Sequence, residues 1–115
     1  QKLKRKFGRD CKAGEVIFKE GEKGSEMFYI LSGSVRLIKK DQTLRIMRKG
    51  EYFGEMALLI STSRTTSALA EEDNTSLAVI GPENFEALLR EEPKIAISFL
   101  KELAHRLKKT SEILQ

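Results

Sequence analysis

Cysteine and histidine are nearly absent from this chain of 115 residues, which contains one of each, Cys11 and His105. A single thiol cannot form an internal disulfide, and an iron–sulfur cluster needs several thiolates. A single histidine excludes a multi-histidine metal site, which argues against the metal-dependent enzymes built on small cupin barrels. We therefore expect no metal and no redox centre, and we interpret Cys11 as an ordinary side chain of a cytoplasmic protein.

Long hydrophobic runs are also missing. No segment approaches the length that crosses a bilayer, and no signal-peptide pattern opens the chain, so we expect no membrane partner. Hydrophobic residues make up 40% and charged residues 33% of the sequence, which is typical of one folded domain with its own core. The first residue is not methionine, and a fragment of a longer protein is one interpretation.

The net charge of +4 is modest, although basic residues crowd the N-terminus and the last helix. A basic cluster can attract nucleic acid. Acidic residues elsewhere offset these charges, so we prefer to interpret them as a solvated surface, with no direct DNA contact from this chain.

Glycines punctuate a series of short β segments between Gly14 and Ile80. Each segment is apolar or alternates between apolar and polar residues, and turn-forming residues separate it from the next. Strands of this length and spacing predict a small antiparallel sandwich or barrel. The predicted strands are 16–18, 27–31, 35–39, 43–48, 52–53, 65–70 and 75–80.

The pattern changes to helix after residue 80. Gly81-Pro82 begins a short helix, and Pro93 lies in the first turn of a longer one. Apolar residues of the longer helix recur at alternating steps of four and three, which predicts a heptad seam against a second copy of the chain. Packing within one subunit is the alternative. The seam consists of Ala96, Leu100, Leu103, Leu107, Thr110 and Leu114. We predict a β-roll with short helices over residues 1–92 and the C-terminal helix over residues 93–115.

The strongest functional signal lies in residues 53–68. Gly54 follows Phe53 and allows the backbone to approach a ligand closely. The short apolar turn Met56-Ala57-Leu58 then directs amide N–H groups towards an anion. This combination favours a phosphate ligand.

Two opposite charges flank that turn. Glu55 stands at its start and supplies a carboxylate acceptor for a sugar hydroxyl, and Arg64, nine residues later, supplies a guanidinium for a phosphate. Thr65 and Thr66 add hydroxyls where the next strand opens. Few ligands need both charges at once, and a small anionic sugar phosphate is one that does.

Together these residues resemble the cyclic nucleotide-binding domain, a family shared by bacterial transcription regulators, kinase regulatory subunits and ion channels. The resemblance rests on the glycine spacing, on Phe53-Gly54-Glu55, on Arg64-Thr65 and on the trailing helices, from about Gly14 to Leu114. It implies an α+β fold: an antiparallel β-roll, or double-stranded jelly-roll-like barrel, with flanking helices and a long C-terminal dimerisation helix. It also implies a non-enzymatic sensor of a cyclic purine mononucleotide, with cyclic AMP (cAMP) preferred.

The resemblance implies roles for Glu55, Arg64, Thr65 and the amides of residues 56–58. Glu55 accepts from the ribose 2′-hydroxyl, and Arg64 pairs with the exocyclic oxygens of the cyclic phosphate. The amides of residues 56–58 hold the ribose phosphate. Thr65 adds a hydroxyl to the phosphate, or to a guanine base, so selectivity for cyclic GMP (cGMP) is an alternative.

The C-terminal helix has implied roles as well. Thr110 and Ser111 read the adenine amino edge, the serine reaching across from the second subunit of a homodimer. Arg106 joins a network near the phosphate, or is simply solvated.

Two departures from the family pattern bear on the protein's role. The interval from Glu55 to Arg64 is nearer to that of kinase regulatory subunits than to that of the bacterial regulators. The sequence also stops where those regulators continue into a helix-turn-helix, so DNA is expected only through a further C-terminal domain. The alternatives are a kinase- or channel-type regulatory domain, and a vestigial dimerisation module without a ligand.

Overall fold

The computed structural model describes residues 2–114, with two compact units that divide between Pro82 and Glu83. The first unit contains eight strands and two short helices, and the second contains the two helices that end the chain. In chain order, the elements are α1 (Lys2–Phe7), β1 (Gly8–Cys11), β2 (Val16–Phe18), β3 (Met27–Ser32), β4 (Ser34–Lys39), β5 (Gln42–Arg48), β6 (Tyr52–Phe53), α2 (Glu55–Ile60), β7 (Ser67–Ala70), β8 (Thr75–Ile80), α3 (Pro82–Glu91) and α4 (Pro93–Leu114).

The strands form two four-stranded antiparallel sheets, in the orders β1-β8-β3-β6 and β2-β7-β4-β5. This arrangement confirms the predicted β-roll with flanking helices and a C-terminal helix. Three details differ from the expectation. The strand predicted from Thr65 begins at Ser67, and the turn predicted after Gly54 is the helix α2. Neither α1 nor β1 was predicted, although β1 completes one sheet by pairing with β8.

The core of the first unit is aromatic near β6 and aliphatic elsewhere. The rings of Phe18, Phe28 and Phe53 lie with their centroids 5.2–5.9 Å apart. Ile30 and Leu77 are fully buried beside them. Tyr52 and Phe53 are both buried, so β6 is anchored on both sides and fixes the point at which α2 begins.

Cys11 ends β1 and faces the same core. Its side chain is only 3% exposed, and burial raises the pKa of its thiol, with the Glu15 carboxylate adding to the effect. The thiol therefore stays protonated at neutral pH, as expected for a packing residue.

The last two helices begin at the predicted prolines, since Pro82 is the first residue of α3 and Pro93 the first residue of α4. Phe85 of α3 and Phe99 of α4 pack edge to face at 6.1 Å. On the predicted seam of α4, Leu100 is 63% and Leu107 is 73% exposed. The side chain of the last seam residue, Leu114, lies outside the described set. Of the helices within residues 2–114, none combines the length and the apolar composition needed to cross a bilayer.

Gly33, between β3 and β4, provides a test of the packing. Its φ is +78°, and a Cβ there would lie 2.4 Å from Oγ1 and 2.6 Å from Cα of Thr75. Thr75 is fully buried and donates its hydroxyl to the Glu72 carbonyl at 2.7 Å, so it has no room to move. Gly50 has φ +89° with nothing within 4 Å of a Cβ.

We predict that Gly33→Ala lowers the free energy of unfolding by about 1–2 kcal/mol more than Gly50→Ala. Both variants bear the cost of a left-handed alanine, and only the first also overpacks the interior. Urea denaturation followed by circular dichroism measures the difference. Equal losses would contradict the close approach at Thr75.

Candidate anion-binding site

The site begins where β6 ends. Gly54 takes the left-handed conformation, φ +78°, and reverses the chain from β6 into α2. The α2 sequence consists of strong helix formers with Glu55 as its first residue, which accounts for the single short helix in place of the predicted turn. Glu55 is half-buried, and its carboxylate lies in the first helical turn, where a negative charge is favoured.

The side chain of Arg64 is buried beneath this turn. Arg64 is only 7% exposed, and its Nη1 donates to the carbonyl oxygen of Gly54 at 3.2 Å. The Cζ atom lies 4.2 Å from the centroid of the Phe18 ring and 5.6 Å from that of Phe28. The guanidinium is therefore held by two aromatic faces and one carbonyl.

The backbone of Arg64 is fixed as well. Its amide donates to the Glu22 carbonyl at 2.8 Å, and its own carbonyl accepts from the Gly21 amide at 2.8 Å. This pair of hydrogen bonds joins the Arg64 segment to the β2–β3 loop. Because these two hydrogen bonds fix the backbone of Arg64, its guanidinium moves only when the side-chain torsions change.

The electrostatics of Arg64 are unusual for a buried arginine. Among residues 2–114, no carboxylate lies within ion-pairing distance of its guanidinium. Burial lowers the pKa of Arg64, and the more distant carboxylates of Glu26 and Glu22 oppose that shift. The cation is thus desolvated without direct compensation, which an anionic ligand would supply.

Arg36 shows the contrasting case. Its Nε donates to Oε2 of Glu71 at 2.6 Å, and its Nη2 contacts the other carboxylate oxygen, so the pair is bidentate. Glu71 raises the pKa of Arg36, whereas burial lowers that of Arg64. Among the described residues, the Arg36 guanidinium is thus paired directly with a carboxylate, and the Arg64 guanidinium is not.

The structure brings most of the predicted site residues together around Gly54. The Arg64 guanidinium donates to the carbonyl of Gly54, the residue that directly precedes Glu55. Phe53 is in the aromatic core, and Met56, Ala57 and Leu58 belong to α2. Thr65 is exposed and Thr66 half-buried in the short link that leads from Arg64 to β7.

Three predicted residues belong to the helical unit instead. Arg106, Thr110 and Ser111 lie on α4 within two turns of one another. The Thr110 hydroxyl donates to the Arg106 carbonyl at 3.1 Å, one turn earlier. Arg106 Nε lies 3.6 Å from Oε1 of Glu102. Because the proton of the Thr110 hydroxyl is used within the helix, its lone pairs remain to accept from an incoming donor.

Two contacts of the site were not predicted from the sequence. Phe18 is 46 residues from Arg64 along the chain, and its stacking role leaves no local pattern. In the β2–β3 loop, the sequence predicts only turn-forming residues between two strands. The signal that could have indicated it is the pair of glycines at 21 and 24, since glycine often marks close approach of a backbone to another group.

A two-sheet β-roll that holds a buried guanidinium beside a short helix is suited to a small anionic ligand. Residues 9–92 match the family model of the cyclic nucleotide-binding domain, and the chain belongs to this family.

Individual relatives agree with this assignment. The cyclic AMP receptor protein of Thermus thermophilus is 38% identical over 100 residues, which are 83% of this chain and 46% of that protein. A cGMP-dependent protein kinase of Toxoplasma gondii is 37% identical over 78 residues, 68% of this chain and 8% of the kinase. The chain therefore spans less than half of either relative.

The fold is similar to that of solved structures too. The crystal structure of the Thermus thermophilus catabolite activator protein matches with a TM-score of 0.78 and 36% identity, over 93% of this chain and 52% of that one. This likeness confirms the jelly-roll architecture with flanking helices.

Proposed function

We propose that this domain is a sensor of a cyclic purine mononucleotide, with cAMP preferred, and that it catalyses no reaction. The observation that carries the proposal is the buried guanidinium of Arg64, which has no carboxylate partner among residues 2–114. A cyclic phosphate bears one negative charge and two exocyclic oxygens, which suit the remaining guanidinium donors.

Each end of the ligand has residues of matching chemistry. Glu55 accepts from the ribose 2′-hydroxyl, while the amides of residues 56–58 and the hydroxyl of Thr65 assist Arg64 at the phosphate. Phe53, Gly54 and Thr66 shape the surrounding backbone. These roles require the Glu55 carboxylate and the Arg64 guanidinium to face the same ligand. The hydrogen bond from Arg64 to the carbonyl of Gly54, the residue before Glu55, supports this requirement.

At the base end, we propose that Thr110, Ser111 and Arg106 contribute from α4. A Thr110 hydroxyl that donates to its own helix presents acceptor lone pairs. The adenine amino group is a donor and the guanine carbonyl at the same position is an acceptor, so this geometry favours adenine. The exposed Thr65 hydroxyl, next to Arg64, favours cGMP as the second candidate.

We further propose a homodimer through α4. Leu100 and Leu107 are large apolar side chains that are mostly exposed at seam positions, and a second copy of the helix would cover them. The similarity to the cyclic AMP receptor protein favours a bacterial transcription regulator with its DNA-binding domain beyond this region. The similarity to a cGMP-dependent kinase keeps a kinase-type role as the alternative.

The first prediction concerns Arg64→Met. Replacing the phosphate's charge partner should weaken cAMP binding by roughly 2–5 kcal/mol, about one to four decades in affinity. The ligand-free variant should stay within about 1 kcal/mol of the wild-type unfolding free energy, because an uncompensated buried charge adds little stability. Calorimetry measures the first effect and urea denaturation the second. Unchanged affinity in a folded variant would refute the role of Arg64.

The second prediction separates the two nucleotides. Thr110→Ala should weaken cAMP binding by about 1 kcal/mol, roughly fivefold, with less effect on cGMP, since the adenine amino group can donate to the hydroxyl and the guanine carbonyl at the same position cannot. Thr65→Ala is the matched variant, and it should weaken cGMP more than cAMP. Competition binding with both nucleotides gives the ratios. An equal loss of both nucleotides in the Thr110 variant would exclude base reading from α4.

The third prediction concerns the dimer. Leu107→Ser should shift the protein towards monomer, whereas Ile97→Ser should not, because Ile97 is 52% exposed on the same helix but lies off the seam. Sedimentation velocity over a concentration series distinguishes the two variants. A wild-type protein that stays monomeric at every concentration, with and without nucleotide, would contradict the seam.

A further inference from the structure

Gly24, in the β2–β3 loop, has a feature that its backbone does not explain. Five glycines of the first unit have positive φ and need the freedom of glycine for that reason, but Gly24 is not among them. Its φ is therefore not one that favours glycine over other residues. The absence of a side chain must have another cause.

That cause lies at the guanidinium of Arg64. A Cβ on Gly24 would lie 2.6 Å from Nη2, 2.7 Å from Nε and 2.8 Å from Cζ of this residue. All three distances are shorter than a van der Waals contact allows. The space that a methyl group would take at position 24 is the space that the guanidinium occupies.

Only the side-chain torsions of Arg64 can change to relieve this overlap, and such a change would cost the contacts that hold the guanidinium. Its backbone is tied to Gly21 and Glu22 by two hydrogen bonds of 2.8 Å. Its Cζ atom lies 4.2 Å from the ring centroid of Phe18, a contact that depends on the cation remaining over the aromatic face. A methyl group at position 24 would therefore move the guanidinium off Phe18, or away from its hydrogen bond to Gly54.

We propose that Gly24 and Phe18 form a slot that sets the position of the Arg64 guanidinium, and that Gly24 is a positioning residue for the anion. This inference rests on the proposed function, because it assumes that Arg64 binds the cyclic phosphate. The slot fixes where the charge stands before any ligand arrives, so that binding needs no rearrangement of the arginine. Any side chain at position 24 disrupts that placement without touching the ligand.

The test compares Gly24→Ala with Gly50→Ala. Gly24→Ala should weaken cAMP binding about tenfold, because its methyl group displaces the charge partner of the phosphate. Gly50→Ala also adds a methyl group, but into open space at a strained φ of +89°, so it should lose stability and keep its affinity. Calorimetry gives the affinities, and denaturation confirms that both variants are folded.

Two readouts separate positioning from simple damage to the loop. The Arg64 Nε–Hε resonance, assigned by its absence in Arg64→Met, should show a ring-current shift from Phe18 that is lost in Gly24→Ala and kept in Gly50→Ala. In a double-mutant cycle, Gly24→Ala should cost affinity with Arg64 present and nothing more in Arg64→Met. An unmoved resonance, or an additive loss of affinity, would overturn the proposal.

The result also distinguishes this inference from the proposed function. A wild-type protein that binds no cyclic nucleotide would refute the proposed function, and the Nε–Hε shift would still test the slot. A wild-type protein that binds cAMP, together with a Gly24→Ala variant of equal affinity, would refute the positioning role alone.

Discussion

The stacking of the Arg64 guanidinium on Phe18 is the contact on which the rest of the site depends. A cation buried at 7% exposure would normally be paired with a carboxylate, and here aromatic faces and one carbonyl surround it instead. The guanidinium is therefore held in one orientation, but no carboxylate among residues 2–114 pairs with its charge. The β-roll supplies the rigidity to hold it, since Phe18, Phe28 and Phe53 all belong to the same packed core.

Three glycines serve this one arginine in different ways. Gly54 reverses the chain before α2 and offers its carbonyl, Gly21 bonds the Arg64 backbone, and Gly24 leaves space for the side chain. Gly54 and Gly21 both have positive φ, whereas at Gly24 the property that matters is the missing Cβ. The requirements of this one side chain thus explain three of the glycines in the spacing that resembles the family, whereas Gly33 is explained by its packing against Thr75.

The strand and helix pattern allowed much of the fold to be predicted, because the apolar alternation and the two prolines act locally. The element β1 was missed because Gly-Arg-Asp-Cys contributes one core side chain, Cys11, and pairs with β8 more than sixty residues later. For the site, residue types at short spacing indicated Glu55 and Arg64. Phe18 and Gly24 were not predicted, because a contact between segments that are distant in the sequence produces no recognisable spacing of residue types.

The buried thiol of Cys11 has a practical consequence. It is the chain's one cysteine, it is 3% exposed, and its raised pKa keeps it protonated. Because β1 is an edge strand, alkylating reagents reach this sulfur when β1 separates from β8, so the rate of modification reports how often that edge of the β-roll opens. Labelling of Cys11 therefore measures local opening of the β-roll without an introduced probe. A nucleotide that stabilised the β-roll would slow this labelling.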